Sequence, residues 1–365
     1  MEKIVHESQK LGSRYFEIKH PTGLTLLLCP DQKFNSAYAI FGTNYGSVDT
    51  AFRIKGEGKE FETVPEGIAH YLEHKLFESE DGDAFARYAV LGASANAFTS
   101  FDKTCYLFSA TDHIYQSLEV LLDFVQSPYF TKETVEKEQG IIGQEIKMYD
   151  DDPNWQVYFR LLRALYKEHP VRIDIAGTVE SIAQITDKLL YQCYETFYNL
   201  NNMVLAFAGN FEMDKAMEVI DRTLKPCPKL TIERKTVEEP REVCEHRTEV
   251  KLPVSMPLFC IGFKEEPDRP EDFIKGQVLN EMLQDILTAE SSPLFGALYK
   301  EGLINMEFDS EVVAGRGYLA SVFEGESKDP DAVYARILEE LDALRKNGIP
   351  KDRFERAKKA LYGKY

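Results

Sequence analysis

Two histidines four residues apart bracket a glutamate in His70-Tyr71-Leu72-Glu73-His74. On an α-helix this spacing puts both imidazoles on one face, so both can reach a single metal ion. Glu73 comes three residues after His70 and lies near that face, where a carboxylate can take a proton from a water without being a ligand. Imidazole nitrogen together with carboxylate oxygen suits Zn2+, with a fourth position left for water. With seven histidines in 365 residues, chance produces this five-residue pattern in on the order of one such chain in a hundred.

Two histidines do not complete a catalytic zinc site, and a third ligand is required. The segment TKETVEKEQGIIGQEIKMY reads as a helix and carries Glu138 and Glu145, seven residues and two turns apart on one face. One of them can ligate while the other holds a histidine from behind, and spacing alone does not choose between them. Glu133 and Glu136 on the same helix read as solvated. Gly140 and Gly143 each cost roughly 1 kcal/mol of helix propensity against Ala, which would make sense if another helix or strand packed very closely there, something the sequence alone does not show. The run Asp150-Asp151-Asp152 before Pro153 reads as a helix end followed by the cap of the next helix.

These side chains need a scaffold. Tyr15–Ile18 and Leu24–Cys29 are strand-like and joined by Pro21-Thr22-Gly23, and Ala37–Phe41 reads as a third strand. The motif helix spans about Pro65 to Phe77, and a second helix ends at Gly92. Ala93–Thr99 and Thr104–Ala110 read as paired strands, followed by helices over 113–126 and 131–149. Residues 153–198 are mostly helical, and a buried strand over 204–208 and a helix over 213–224 close the first unit. Residues 225–255 are charged, hold four prolines and lack periodicity, as a linker would.

Beyond the linker, strand and helix patterns resume, and a shift of 219 residues sets Leu118 on Ile337, Leu122 on Leu341, Val125 on Leu344, Val135 on Phe354 and Ile142 on Leu361. Apolar positions at helical spacing fall on one another without a gap, which predicts an internal repeat. The expected division is 1–224, a linker over 225–255, and a second copy over 256–365. A full copy would run about 65 residues past Tyr365, so the second domain is expected to be incomplete.

Composition limits the function. With 43 basic and 61 acidic residues, the net charge of −18 argues against nucleic acid and anionic membrane as partners. No stretch approaches the roughly 18 apolar residues of a membrane span, and the N-terminus lacks a secretory apolar segment. The six cysteines are scattered without a C-x-x-C pair, which fits reduced thiols and a cytoplasmic protein.

HxxEH followed some 70 residues later by the Glu138/Glu145 pair resembles the inverted zinc motif of the pitrilysin/insulinase-type metallopeptidases. Gly67-Ile68-Ala69, Gly92, Asn96-Ala97-Phe98-Thr99 and Asn202-Met203 also fit, and the resemblance covers essentially the whole chain. It implies an α+β fold of two similar domains, each a mainly antiparallel sheet with helices on one face, only the first bearing metal. It further implies one Zn2+ per chain held by His70, His74 and Glu145, with Glu138 behind them and Glu73 as general base. Zinc would lower the pKa of its water towards about 7, and Glu73 would take the proton during peptide hydrolysis. The strand Ala95–Thr99 would be an open edge to which a peptide adds, with Asn96, Ala97 and Phe98 as contacts.

One departure stands out. Many family members carry an Arg and a Tyr in the second domain, or in a partner, to bind substrate and steady the oxyanion. The matching positions here hold Tyr299 and Asn305, and neither supplies a cationic clamp. Either a partner supplies the clamp or the chain is a weak or specialised peptidase, and the first is favoured. The expectation is a zinc endopeptidase acting on peptides or unfolded segments, paired with a second peptidase-like subunit in a hetero- or homodimer, as in the two-subunit bacterial branch. The alternative is a non-catalytic assembly or maturation subunit that keeps the peptidase fold.

Overall fold

Alternating apolar residues in the first half of the chain build strands with one buried face, and amphipathic helices cover that face. The computed structural model describes residues 2–56, 60–80, 82–265 and 273–365. In chain order the first half holds β1 (Glu2–Ser8), β2 (Ser13–Lys19), β3 (Thr25–Pro30), β4 (Ala37–Thr43), β5 (Ala51–Ile54) and β6 (Glu62–Thr63). Next come α1 (Ile68–Leu76), the short β7 (Glu78–Ser79) and β8 (Gly82–Asp83), α2 (Ala84–Leu91), β9 (Ser94–Thr99) and β10 (Thr104–Ala110). The helices α3 (Ile114–Val125), α4 (Lys132–Asp151), α5 (Pro153–Leu165), α6 (Val179–Ile182) and α7 (Asp187–Phe197) follow, then β11 (Met203–Gly209), α8 (Met213–Thr223) and β12 (Ile232–Arg234). The remainder is β13 (Leu258–Glu265), α9 (Phe273–Thr288), α10 (Pro293–Lys300), β14 (Asp309–Gly315), β15 (Tyr318–Glu326), α11 (Pro330–Asn347) and α12 (Lys351–Lys364).

The chain forms two packed units, residues 1–146 with 174–235, and 147–173 with 236–365. The first is built on a seven-stranded sheet in the order β1-β2-β3-β11-β4-β10-β9. Its pairs are antiparallel except β3 with β11. Leu26 and Leu28 of β3, Ala39 and Phe41 of β4, Phe108 of β10 and Leu205 and Phe207 of β11 are fully or almost fully buried. Leu72 of α1 and Leu118, Leu121 and Leu122 of α3 are equally inaccessible, and burying each such side chain contributes roughly 1.5–3 kcal/mol.

The second unit repeats part of this plan. The order β4-α1-α2-β9-β10-α3-α4, leaving aside the short strands, recurs as β13-α9-α10-β14-β15-α11-α12. The sheet order β4-β10-β9 recurs as β13-β15-β14, again antiparallel. The helices α4 and α12 begin at Lys132 and Lys351, 219 residues apart, the offset read from the apolar positions. Phe259, Leu298, Phe308, Phe323, Val333 and Ile337 form the core on one face of this sheet. On β13, a Cβ added to Gly262 would lie 2.8 Å from Leu161 and Leu165, so α5 packs directly on the strand there. The fold is thus α+β with two similar domains.

The division between units differs from the one expected at 224 and 256. The segment 147–173 packs into the second unit because α5 lies on β13. Residues 225–235 belong to the first unit, where β12 pairs with β5. Residues from 236 onward belong to the second, where the partly buried Glu239 accepts hydrogen bonds from the backbone N–H groups of Lys167, Glu168 and His169 and forms an ion pair with Lys264. The charged segment is therefore tied down by side chains, without the apolar periodicity that would have revealed it. Among the described residues, no helix is long and apolar enough to cross a membrane.

Candidate metal centre

The N-terminus of α1 is set by a close crossing of two glycines. Gly67 has φ of +87°, and a Cβ there would sit 2.3 Å from the Ala176 carbonyl oxygen. Gly177 has φ of +75° and faces the Glu66 carbonyl in the same way, at 2.6 Å. Only glycine allows both the left-handed backbone and this approach. The Ser181 hydroxyl donates to the Glu66 carbonyl and completes the clamp. From this anchored start, α1 carries His70 and His74 on one face with ring centroids 4.6 Å apart.

Helix α4 brings the carboxylates. The Tyr71 hydroxyl donates to the Val135 carbonyl over 2.5 Å and ties α1 to α4. Glu145 then places one oxygen 3.8 Å from His70 Nε2 and the other 3.4 Å from His74 Nε2. Donor atoms of His70, His74 and Glu145 all lie within 4.8 Å of one another. Glu138 faces the opposite ring atom of His74, Oε1 to Nδ1 at 3.0 Å. The two glutamates that spacing could not tell apart therefore take different places. Glu145 converges on both Nε2 atoms, and Glu138 sits behind His74.

Electrostatics divide the histidines. Burial, reinforced by repulsion from His74, pulls His70 down to about 4, so its imidazole is neutral at pH 7. For His74, burial acts downward, but the contacts with Glu138 and Glu145 outweigh it and raise the group to about 9. Glu73 is raised above the usual carboxylate range by burial, and a hydrogen bond from Thr99 works against that rise. The Thr99 hydroxyl donates to Glu73 Oε2 over 2.6 Å.

The donor set fits a zinc ion. A tetrahedral ion with bonds of about 2.0–2.1 Å has ligand-to-ligand edges of about 3.4 Å, close to the 3.4 and 3.8 Å separations here. His70 directs Nε2 to Glu145, and its Nδ1 is buried with no hydrogen-bond partner among the described residues. The Glu138-to-His74 contact matches the common arrangement in which a carboxylate orients a ligating imidazole.

Asn96, Ala97 and Phe98 lie on β9, at one end of the seven-stranded sheet. Its inner neighbour is β10, with Ala97 opposite Tyr106 and Phe98 opposite Cys105. No strand flanks its other side among the described residues. Sequence reasoning gave Thr99 no role of its own beyond its place in this strand, and the structure sets its hydroxyl on Glu73. The two-residue period of Ala95, Ala97 and Thr99 was the available signal, since these positions face inward while Ser94, Asn96 and Phe98 face out. Two other expectations meet different outcomes. A Cβ at Gly140 or Gly143 would meet nothing within 4 Å, so among the described residues no neighbour packs closely enough there to require glycine. Asp152 caps α5 as expected, accepting from the N–H groups of Asn154 and Trp155.

Comparison with known proteins places this geometry in a family. The family model "Insulinase (Peptidase family M16)" matches residues 57–179, and "Peptidase M16 inactive domain" matches residues 184–361. The uncharacterized zinc protease YmfH of Bacillus subtilis (strain 168) is 43% identical over 330 residues, covering 89% of this chain and 77% of that one. A second B. subtilis protein, the uncharacterized zinc protease YmxG, is 29% identical over 323 residues, covering 84% and 76%. A crystal structure from Alicyclobacillus acidocaldarius, described as M16-like, superposes with a TM-score of 0.91 at 40% identity, covering 98% of this chain and 85% of that one. Pitrilysin shares the fold, with a TM-score of 0.70 at 19% identity over 97% of this chain and 39% of its own. The likeness to YmfH spans most of both chains and the two family models follow one another along this one, over 57–179 and 184–361, so the chain belongs to the insulinase family of peptidases, M16.

Proposed function

We propose that the chain is a zinc-dependent endopeptidase that cleaves peptides or unfolded segments, with one Zn2+ held by His70, His74 and Glu145. The observation that carries this reading is the convergence of these three donors within 4.8 Å, beside a glutamate whose carboxylate is held in place by Thr99.

A bound zinc supplies Lewis acidity, polarising a carbonyl and making a water acidic near neutral pH. The remaining work falls to side chains. Glu73, freed of its proton, takes one from the attacking water and can pass it to the leaving amine. Thr99 holds Oε2 of Glu73 so that the other carboxylate oxygen is free for that exchange. Glu138 fixes the ring of His74 with Nε2 directed at Glu145. Asn96, Ala97 and Phe98 on the open edge of β9 receive the substrate backbone as an added strand, with main-chain hydrogen bonds giving affinity largely independent of sequence. Relatives named zinc proteases support the metal and the reaction class.

The position expected to carry a cationic clamp holds Tyr299, half-exposed on α10. At the other, Asn305 hydrogen-bonds Glu326 over 2.9 Å. This favours a second peptidase-like subunit that completes the site. It also keeps a second reading in view, a non-catalytic assembly or maturation subunit that retains the metal.

The test is hydrolysis of an unstructured peptide by the full chain, alone and with a candidate partner, before and after chelation and zinc restoration. Cleavage abolished by chelation and regained with zinc is the expected result. Cleavage that survives complete metal removal contradicts the proposal, and a zinc-loaded chain inert in both settings favours the non-catalytic reading.

A further inference from the structure

The seven-stranded sheet has a second end. There β1 pairs with β2 on one side, and no strand lies on the other among the described residues. The strand is exposed on both faces, with Ile4 44% and Val5 53% accessible. Neighbouring apolar side chains, Leu11 in the hairpin and Tyr15 on β2, are also exposed. An open edge with apolar side chains on both faces is a template for another strand.

The charges on β1 select which strand. In the run Glu2-Lys3-Ile4-Val5-His6-Glu7-Ser8, Lys3 and Glu7 share one face and flank Val5 symmetrically. The Lys3 ammonium rests over the Phe16 ring of β2, 4.2 Å from its centroid, so in the single chain it leans away from the open edge and turns outward to meet a partner strand. Consider two copies of β1 running antiparallel about a two-fold axis at Val5. Lys3 of each then stands opposite Glu7 of the other, Val5 meets Val5, and Ile4 meets His6. Opposite charges facing one another across strands attract, and like charges repel.

Other arrangements lose this match. A parallel pairing sets Lys3 on Lys3 and Glu7 on Glu7. Moving the axis to Ile4 or to His6 places Lys3 or Glu7 opposite Val5. The charges that ordinarily guard an edge here attract a copy of the same strand in one antiparallel register. We propose that β1 is an interface between two copies of this chain, joining their sheets through antiparallel β1–β1 pairing centred on Val5. Such an interface is isologous and closes at two copies.

The experiment is sedimentation velocity on the full chain over a range of concentrations, for wild type, Lys3→Glu, Glu7→Lys and the double variant. All changes fall on exposed positions of the strand, and circular dichroism checks that each variant is folded. Wild type is expected to dimerise reversibly. Each single reversal sets like charges face to face twice and should weaken association by about tenfold or more. The double variant restores both pairs with the signs exchanged and should recover wild-type association. A wild-type chain that stays monomeric throughout overturns the proposal, as does a dimer indifferent to the single reversals or not recovered by the double variant.

Discussion

The hydroxyl of Thr99, at the end of the open edge strand β9, donates to Oε2 of Glu73 over 2.6 Å. One hydrogen bond thereby joins the strand proposed to receive the peptide to the carboxylate proposed to move the proton. Hydrogen bonds to charged groups contribute about 1.5–3 kcal/mol. Burial raises the Glu73 carboxyl and the Thr99 bond opposes that rise, so removing the hydroxyl should raise it further. A general base must be deprotonated to act, so the acid limb of the kcat/KM profile should move to higher pH in Thr99→Val. The rate on that acid limb should fall by roughly ten- to a hundredfold, the loss shrinking as pH rises, and Thr99→Ser should restore the profile. A Thr99→Val profile that overlays the wild type would show that the bond does not tune the base.

Glu138 and Glu145 should separate cleanly in metal content. Glu145→Gln removes a proposed donor, so the purified chain should hold far less zinc than wild type. Glu138→Gln leaves the three donors in place and removes only the partner of His74 Nδ1. Its zinc affinity should drop by about 10–100-fold, which competition with a chromophoric chelator would measure. Equal losses for the two variants would contradict the distinction.

Gly140 and Gly143 should be replaceable by alanine with a gain in stability. Both lie inside α4, neither has positive φ, and an added Cβ meets nothing within 4 Å. Each Gly→Ala change should add about 0.5–1 kcal/mol, seen as a higher urea midpoint at unchanged m-value. A loss at either position would mean that the helix must bend there.

His169 should make the second unit sensitive to acid. Its Nδ1 accepts from the Val171 N–H, so Nε2 carries the proton and donates to the Arg316 carbonyl. Burial lowers the group to about 4. The unfolded chain therefore takes up the proton first, near pH 6.5. The stabilisation is full above that pH and is lost as pH falls through about 4, amounting to roughly 3 kcal/mol. Urea melts at pH 7 and 4.5 should show a smaller acid-induced loss in His169→Gln than in wild type.

Much of this was legible in the sequence because it depends on local spacing. The 3.6-residue period alone puts His70 and His74 together, and the apolar offset of 219 residues anticipated the starts of α4 and α12. What stayed hidden depends on tertiary partners. The strand β1 mixes charged and apolar residues on both faces and becomes a strand through pairing with β2. The three-residue β12 lies in a charged segment, where only β5 gives it order. Lys75, directly after the motif, is completely buried and paired with Glu78. A lysine gives no sequence signal of such burial, since the type is almost always exposed. Spacing placed Glu138 and Glu145 equally well, and only the fold shows which one reaches both Nε2 atoms.

In the proposed reaction Glu73 moves the proton at a zinc site formed by His70, His74 and Glu145. The most direct test is peptide cleavage by Glu73→Gln, with zinc content measured on the same sample. The substitution keeps the side chain's size and its hydrogen-bonding oxygen but removes the base. The prediction is zinc content equal to wild type and a turnover rate lower by about 10²–10⁴-fold. A variant that keeps its zinc and cleaves at the wild-type rate would show that Glu73 is not the base.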